Sequence, residues 1–271
     1  MLSKILAFRL SRFAYRLSPI AFLSLILLSC SPKTDREEWI PLFNGVNLDG
    51  WTPKFSGYPL GENFNNTFRV EDSLLIVDYS GYDTFRGEFG HLFYKHKYSH
   101  YKLLIEYRIV GEQVPEGPGW AFKNSGAMLH CQSPESMLLD QDFPVSIEAQ
   151  FLGGDGVNER PTMNLCTPGT NVFMNGELFT PHCTNSTSPT FHGEEWVTVE
   201  MVVRGDSILH HLVNGDTVLT YTKPQVGGGS IPDGYPLSEG TPITEGYIAL
   251  QAESHPFQFR RVELLDLSGT K

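Results

Sequence analysis

The stretch Tyr101-Lys102-Leu103-Leu104-Ile105-Glu106-Tyr107-Arg108-Ile109 indicates the fold class most directly. Its apolar residues at odd positions alternate with Lys102, Glu106 and Arg108 at even positions. Because successive side chains of a β-strand point to opposite faces, this alternation predicts a strand with one buried face.

The same two-residue period recurs along the chain, whereas the periodicity of amphipathic helices is scarce. The turn Asn214-Gly215 between two such runs is a strong hairpin signal. About ten short strands separated by long loops predict two packed antiparallel sheets in one all-β domain over residues 39–271. Besides the stretch above, the predicted strands are residues 73–78, 91–94, 126–132, 145–151, 196–204, 207–213, 217–222, 246–253 and 258–267.

The composition limits the classes of function. The 271 residues include 12% aromatic and 19% charged residues, which argues against a disordered chain or a coiled coil. The formal net charge is −11 and no basic stripe occurs, so the chain is not expected to bind nucleic acid. An acidic balance suits a neutral or cationic small partner.

The N-terminal residues have the features of an export signal. Basic residues precede the apolar run 19–28, and the sequence Leu27-Leu28-Ser29-Cys30 resembles the end of a bacterial lipoprotein signal. This predicts a signal peptide over residues 1–29, lipidation of Cys30, a tether over residues 30–38, and attachment to the cell envelope through the lipid alone. The orientation, periplasmic or outward, is left open. The alternative is a plain secretory signal with an incidental cysteine.

The other cysteines are Cys131, Cys166 and Cys183. An exported protein meets oxidising conditions, so one pair could form a disulfide. Cys166 and Cys183 flank a loop-rich segment and are the candidate pair, which makes Cys131 a buried thiol.

One predicted strand carries the first candidate site. Ile147, Ala149 and Phe151 share one of its faces, and Glu148 and Gln150 share the other. If the apolar face fills the core, the polar face can hydrogen-bond sugar hydroxyls, and Glu148 can transfer a proton. The alternative is that Glu148 is merely an exposed strand residue.

A second candidate begins at the turn-forming sequence Asn124-Ser125-Gly126. Alternation places Met128 and His130 on one side of the strand that follows. His130 could act as an acid, a base or a metal ligand, because an imidazole titrates near neutral pH. The alternative is a histidine that is satisfied structurally.

Two weaker groups complete the candidates. Trp120, Trp196, Tyr82 and Phe85 could stack on sugar rings, or they could belong to the core. A cluster of polar loop residues could line the rim of a cleft, although its spacing matches no metal motif; its members are His182, Asn185, His192, Glu195, Asp155, Glu159 and Arg160.

Several enzyme signatures are missing from the sequence. It contains no G-x-S-x-G elbow, no Walker loop and no dinucleotide fingerprint. Laminarinase-type glycosidases carry E-x-D-x-E on one strand, whereas the comparable stretch here, Ser146 to Gln150, has a single acid at Glu148. An ordinary retaining mechanism needs two carboxyl groups about 5 Å apart, which this strand alone does not supply.

Seven short motifs follow one another in a fixed order along the chain. They are Pro41-Leu42-Phe43-Asn44-Gly45-Val46-Asn47-Leu48-Asp49-Gly50-Trp51, Asn124-Ser125-Gly126-Ala127, Ile147-Glu148-Ala149-Gln150-Phe151, Gly193-Glu194-Glu195-Trp196, Val213-Asn214-Gly215, Gly246-Tyr247-Ile248-Ala249-Leu250-Gln251 and Phe259-Arg260-Arg261-Val262. Together they resemble the 3-keto-disaccharide hydrolase domain family, and the resemblance covers residues 39–267.

This resemblance implies a jelly-roll sandwich of the concanavalin A-like lectin and glucanase type. It also implies cleavage of 3-keto-glycosides by removal of the C2 proton and loss of the aglycone, a route that does not need an ordinary carboxylate pair. On this hypothesis the base is Glu148 or His130. Asn124, Gln150 and Arg260 or a divalent metal ion polarise the ketone, Gln251 orients the sugar, and Trp120 stacks on it.

Three alternatives stay open at this stage. The first is a non-catalytic, lectin-like envelope lipoprotein that binds carbohydrate. The second is a laminarinase-type endoglycanase, and the third is a structural or interaction role in an envelope complex. For the keto-glycoside enzyme and the lectin-like protein the expected partner is a small carbohydrate, whereas the endoglycanase would act on unoxidised β-glucans. The oligomeric state and the need for a metal ion are not predicted.

Overall fold

The structure, a computed structural model, describes residues 38–269. All strand pairings in this range are antiparallel, and its only helices are single 3₁₀ turns at Phe64–Asn66, Gly119–Ala121 and Pro134–Ser136. The strands are β1 (Ile40–Pro41), β2 (Trp51–Phe55), β3 (Phe68–Glu71), β4 (Leu74–Val77), β5 (Gly90–Tyr94), β6 (His100–Ile109), β7 (Asn124–Cys131), β8 (Ile147–Leu152), β9 (Asn164–Cys166), β10 (Thr170–Met174), β11 (Glu177–Phe179), β12 (Cys183–Thr184), β13 (Val197–Arg204), β14 (Ile208–Val213), β15 (Asp216–Val226), β16 (Tyr247–Ala252) and β17 (Phe257–Asp266).

The strands form two sheets. The ten-stranded sheet has the order β11-β10-β15-β14-β13-β6-β17-β4-β3, with β1 paired to β17. The seven-stranded sheet has the order β12-β9-β8-β7-β16-β5-β2. The expected all-β, two-sheet jelly-roll sandwich is thus confirmed.

The core lies between the sheets and is built from the alternation seen in the sequence. On β6 the residues Tyr101 to Ile109 at odd positions are buried in it, as predicted. Tyr107 stacks on Phe151 of the other sheet with ring centroids 4.5 Å apart. Full burial of one such side chain stabilises the fold by about 1.5–3 kcal/mol.

Every predicted strand is present, with ends shifted by a few residues. The prediction missed β1, β2, β3 and β9 to β12, which have two to five residues each. Runs this short hold too few alternations to show a period. In addition β2, an edge strand, contains Pro53, which lacks the N–H that a central strand needs.

The predicted disulfide between Cys166 and Cys183 is present, and Cys131 is a buried free thiol, as expected. Cys30, the signal segment and most of the tether lie outside the described residues. Within residues 38–269, no helix has the length and apolar character required to span a membrane.

Candidate active site

A cavity of about 390 Å³ opens on the face of the seven-stranded sheet that points away from the core. Its polar lining includes Asn124 on β7, Glu148 and Gln150 on β8, and Glu253 just after β16. Binding sites for small molecules occupy about 300–1,000 Å³, so the cavity has the size that a sugar requires.

The orientation of β8 is the one predicted from its period of two. Ile147, Ala149 and Phe151 are buried in the core, while Glu148 and Gln150 line the cavity. Only 5% of Glu148 is exposed. Its carboxyl group therefore sits at the cavity in surroundings nearly free of bulk water.

Gly126 makes the space in which this carboxyl group lies. A Cβ atom at Gly126 would stand 2.9 Å from Glu148 Oε1 and 2.7 Å from Gln251 Oε1. The missing side chain on β7 thus lets Glu148 from β8 and Gln251 from β16 approach each other across the intervening strand. The structure corrects the expectation that Gln251 orients the sugar: Gln251 is fully buried and does not line the cavity, and its side chain contacts Glu148 instead.

Amide groups surround the carboxyl group. Asn164 Nδ2 donates a hydrogen bond to Gln150 Oε1 at 3.0 Å, which orients Gln150 so that its NH₂ group is available to a ligand. Asn124 lines the cavity, and its Oδ1 is buried without a hydrogen-bond partner among the described residues. Buried polar atoms without partners are rare in folded proteins, so this atom is suited to meet a hydroxyl group of a ligand.

The polar row of the sheet continues from Gln251 to His91 on β5 and Lys54 on β2. Burial, together with the charge of Lys54, lowers the pKa of His91 to about 3, so its ring is neutral. The ring packs edge-on against Phe143, a residue of the cavity wall, at 5.7 Å between centroids. Gln251 is thus bordered by a neutral ring.

Glu253 is a second carboxyl group of the cavity, and the sequence analysis missed it. Only 2% of it is exposed, and Oε2 has no hydrogen-bond partner in the described chain. A sequence signal did exist, because Glu253 follows Gln251 by two positions in a predicted strand and so shares its face. The single acid inferred from β8 therefore describes one strand and not the assembled site.

The backbone next to Glu253 is held in an unusual conformation. Ser254 has a φ of 100°, which residues other than glycine rarely adopt. Its N–H donates to the Tyr79 hydroxyl at 2.7 Å, and its Oγ accepts from Gln113 Nε2 at 2.9 Å. These contacts hold the turn and with it the direction of Glu253.

The two carboxyl groups influence each other. Burial raises the pKa of Glu148, and its contact with Gln251 opposes this rise. Burial also raises the pKa of Glu253 well above the ordinary range, and the negative charge of Glu148 raises it further. Glu148 is therefore the first of the two to ionise, and Glu253 keeps its proton to higher pH.

The raised pKa values predict a dependence of stability on pH. The unfolded chain loses the proton of such a carboxyl group at a pKa of about 4.3, whereas the folded protein keeps this proton to higher pH. The free energy of unfolding therefore falls as the pH rises from about 4.3 to the folded pKa. We therefore expect Glu253→Gln to unfold at a higher temperature than the parent protein at pH 8, with a smaller difference at pH 4. Thermal unfolding at both pH values checks this, with the exposed Glu177 replaced by Gln as control. Equal differences at both pH values would contradict it.

Aromatic residues and the disulfide form other parts of the wall. Trp120 is 54% exposed and stacks on Phe89 with ring centroids 5.6 Å apart. The disulfide of Cys166 and Cys183 also lines the cavity, together with His182. Trp120 therefore lies at the cavity with one ring face covered by Phe89, and its stacking on a sugar stays a prediction.

The structure corrects the expectation for His130. A β-bulge in the pairing of β7 with β16, at which His130 has a φ of 50°, reverses the alternation at this residue. The ring lies between the sheets, packs against Tyr101 and donates from Nε2 to the carbonyl oxygen of Gly205 at 3.1 Å. Burial lowers its pKa. His130 does not line the cavity and is a structural residue, the alternative left open above.

The expectation for Arg260 is also wrong. Arg260 lies on β17 in the ten-stranded sheet, so it belongs to the other layer of the sandwich. Its Nε donates to Glu106 Oε2 at 2.7 Å, and its guanidinium stacks on Trp196 at 4.6 Å. Arg260 cannot reach a ketone bound in the cavity, and Trp196 is not a cavity residue either.

The remaining candidates divide between several places. Tyr82 and Phe85 are core residues. Of the loop cluster, His182 lines the cavity, whereas Glu159, Asn185 and His192 line a separate polar cleft of about 640 Å³. Arg160 donates to the backbone carbonyl oxygens of Gly153 and Phe122. Asp155 accepts hydrogen bonds from the backbone N–H groups of Val157 and Asn158, and Glu195 lies beside Gly193, so neither is a residue of the cavity.

A metal ion would need a set of suitable ligands. In residues 38–269, no three His, Cys, Asp or Glu side chains are grouped as they would be to hold one. The polar side chains that line the cavity are Asn124, Glu148, Gln150, His182, Ser230 and Glu253, and they form no such group.

Comparison with known proteins gives one family match. The family model described as the 3-keto-alpha-glucoside-1,2-lyase-like domain matches residues 38–265. No curated protein matches the chain.

Two solved structures from Parabacteroides distasonis ATCC 8503, both described as candidate glycosyl hydrolases, share the fold. One is 17% identical, with a TM-score of 0.51 over 85% of this chain and 100% of that chain. The other is 18% identical, with a TM-score of 0.51 over 86% of this chain and 95% of that chain. At this identity the likeness concerns the fold alone.

Proposed function

This chain belongs to the 3-keto-alpha-glucoside-1,2-lyase-like domain family, and from that premise we propose that its cavity cleaves 3-keto-glycosides, such as 3-keto-disaccharides or 3-keto-glucosides, between C1 and the aglycone oxygen. The observation that carries the proposal is the buried carboxyl group of Glu148 among amide groups in a cavity of sugar size. Glu148 is the base.

The chemistry follows from the ketone. A carbonyl group at C3 makes the neighbouring C2–H acidic, so one carboxylate can remove that proton. The NH₂ group of Gln150 donates a hydrogen bond to the C3 oxygen, where negative charge develops. The enolate then expels the aglycone from C1, and water adds to the resulting enone. Trp120 covers the apolar face of the sugar ring.

The decisive experiment compares a 3-keto-glucoside with its unoxidised parent glucoside, for both anomers. We expect the purified protein to release the aglycone from the keto compound and to leave the parent glucoside intact. Aglycone release is measured by chromatography and is corrected for the spontaneous elimination that occurs without the protein. Binding without release would favour the lectin-like alternative.

Glu253 favours one second candidate, an ordinary glycoside hydrolase. Such an enzyme needs two carboxyl groups, and the cavity provides Glu148 and Glu253 together. The same experiment separates the candidates, because this enzyme would cleave unoxidised glucosides or β-glucans. We place it second because the family description names a 3-keto-glucoside.

The place of action is a proposal from the sequence alone. We propose that residues 1–29 are removed, that Cys30 is lipidated, and that residues 30–38 tether a single domain of residues 39–271 to the cell envelope. Mass spectrometry of the mature N-terminus tests this. An unmodified Cys30, or cleavage at another residue, would contradict it.

A further inference from the structure

We propose that Glu253 is a second catalytic residue of this cavity, the acid that protonates the aglycone oxygen while Glu148 removes the C2 proton. This inference rests on the proposed cleavage of 3-keto-glycosides. The inference goes beyond the proposed cleavage, because neither the sequence motifs nor the family match assigns a role to Glu253. They also do not identify the group that gives a proton to the aglycone oxygen.

The position of Glu253 supports this role. Glu148 is on β8 and Glu253 follows β16, with β7 between the two strands, and both side chains reach the same cavity. A ligand between them can present C2 to one carboxyl group and the glycosidic oxygen to the other. Both residues are nearly fully buried, so bulk water does not compete for these protons.

A structural role accounts poorly for Glu253. A buried carboxyl group that stabilises a fold is normally paired or hydrogen-bonded. The ion pairs found within residues 38–269 do not include Glu253, and its Oε2 has no hydrogen-bond partner there. The adjoining turn nevertheless holds Ser254 at a φ of 100° through Tyr79 and Gln113. Strained backbone beside an unpaired buried acid is typical of functional sites.

The catalytic cycle needs one proton on the pair. At the start Glu148 is ionised and Glu253 is protonated. Glu148 takes the proton from C2, the C1–O bond breaks with its electron pair on the aglycone oxygen, and that oxygen takes the proton of Glu253. Water then adds to C1 of the enone, its proton goes to Glu253, and Glu148 returns its proton to C2. The sum is hydrolysis, and both groups regain their first state.

The electrostatics of the pair give the order of ionisation that this starting state requires, Glu148 before Glu253. The pKa of both groups is raised by burial, and that of Glu253 is raised further by the charge of Glu148. Loss of the first proton from the pair therefore opposes loss of the second.

The test compares two classes of aglycone that differ in whether their oxygen must be protonated before it leaves. An aryl oxide leaves without help, whereas an alkoxide needs a proton. The rates of Glu253→Gln on an aryl and an alkyl 3-keto-glucoside are compared with those of the parent protein. We expect a loss of about 10²–10⁴-fold for the alkyl compound and less than about tenfold for the aryl compound. Glu253→Asp, which keeps an acid, is expected to lose less on the alkyl compound.

A second measurement isolates the base. In D₂O, unreacted alkyl substrate recovered from Glu253→Gln should contain deuterium at C2 above the spontaneous background, because Glu148 still removes the proton. Glu148→Gln should give no such excess. Unfolding temperatures confirm that each variant is folded, and should Glu253→Gln not fold, the aryl-to-alkyl ratio of Glu253→Asp decides.

Two results would overturn the acid role. One is an equal loss on both substrates, and the other is an unchanged rate on the alkyl compound. A parent protein inactive on every 3-keto-glucoside would instead refute the proposed function, so the two failures are distinguishable. A parent activity that is abolished by a chelator and restored by a divalent ion would also overturn proton transfer by Glu253.

Discussion

Replacing Glu148 by Gln is expected to lower kcat on a 3-keto-glucoside by about 10²–10⁴-fold, the usual contribution of a positioned general base. The amide has nearly the shape of the carboxylate but cannot accept the C2 proton. Since the proposed sugar site also includes Gln150, Asn124 and Trp120, we expect KM to change little. The loss should therefore fall on the chemical step and extend to aryl and alkyl aglycones alike.

Steady-state rates of the variant and of the exposed control Glu177→Gln give the comparison. Glu177 lies on β11 in the ten-stranded sheet, away from the cavity, and its replacement should leave kcat unchanged. A folded Glu148→Gln protein that cleaves at the parental rate would remove Glu148 from the scheme.

Replacing Gly126 by Ala is expected to lower kcat/KM by about 10²-fold although no polar group is removed. The added Cβ would stand 2.7 Å from Gln251 Oε1 and 2.9 Å from Glu148 Oε1, closer than such atoms approach in folded proteins. The carboxyl group must therefore move, and a displacement of about 1 Å can cost about 10²-fold in rate. The φ of Gly126 is not positive, so alanine fits its backbone conformation.

A matched control is available in Gly229. A Cβ atom there meets nothing within 4 Å, and its φ is also not positive, so Gly229→Ala should keep the parental activity. Unfolding temperatures show whether either protein is destabilised. If Gly126→Ala is fully active, the space at Gly126 does not position Glu148.

These predictions differ in how much the sequence contributed to them. The two-residue period of β8 was sufficient to predict that Glu148 and Gln150 share a face opposite the core, because parity is a local property of an extended chain. The same rule failed at His130. A bulge adds one residue to a strand and reverses the parity beyond it, and no residue type in that stretch marks its position.

The fold class follows from features that are local in the sequence, whereas the site depends on contacts between residues that are distant in the sequence. Alternation and turn residues are local, so they were enough to predict two antiparallel sheets and the outward face of Glu148, whereas Cys166 and Cys183 were only the candidate pair for a disulfide. Neighbouring strands in a sheet are distant in the sequence. Only their pairing could place β17 with Arg260 in the other layer and bring Glu253, some hundred residues away, into the cavity of Glu148. The electrostatic effect of one buried carboxylate on the pKa of the other acts through space, so it arises only when the assembled sheet brings the two groups together.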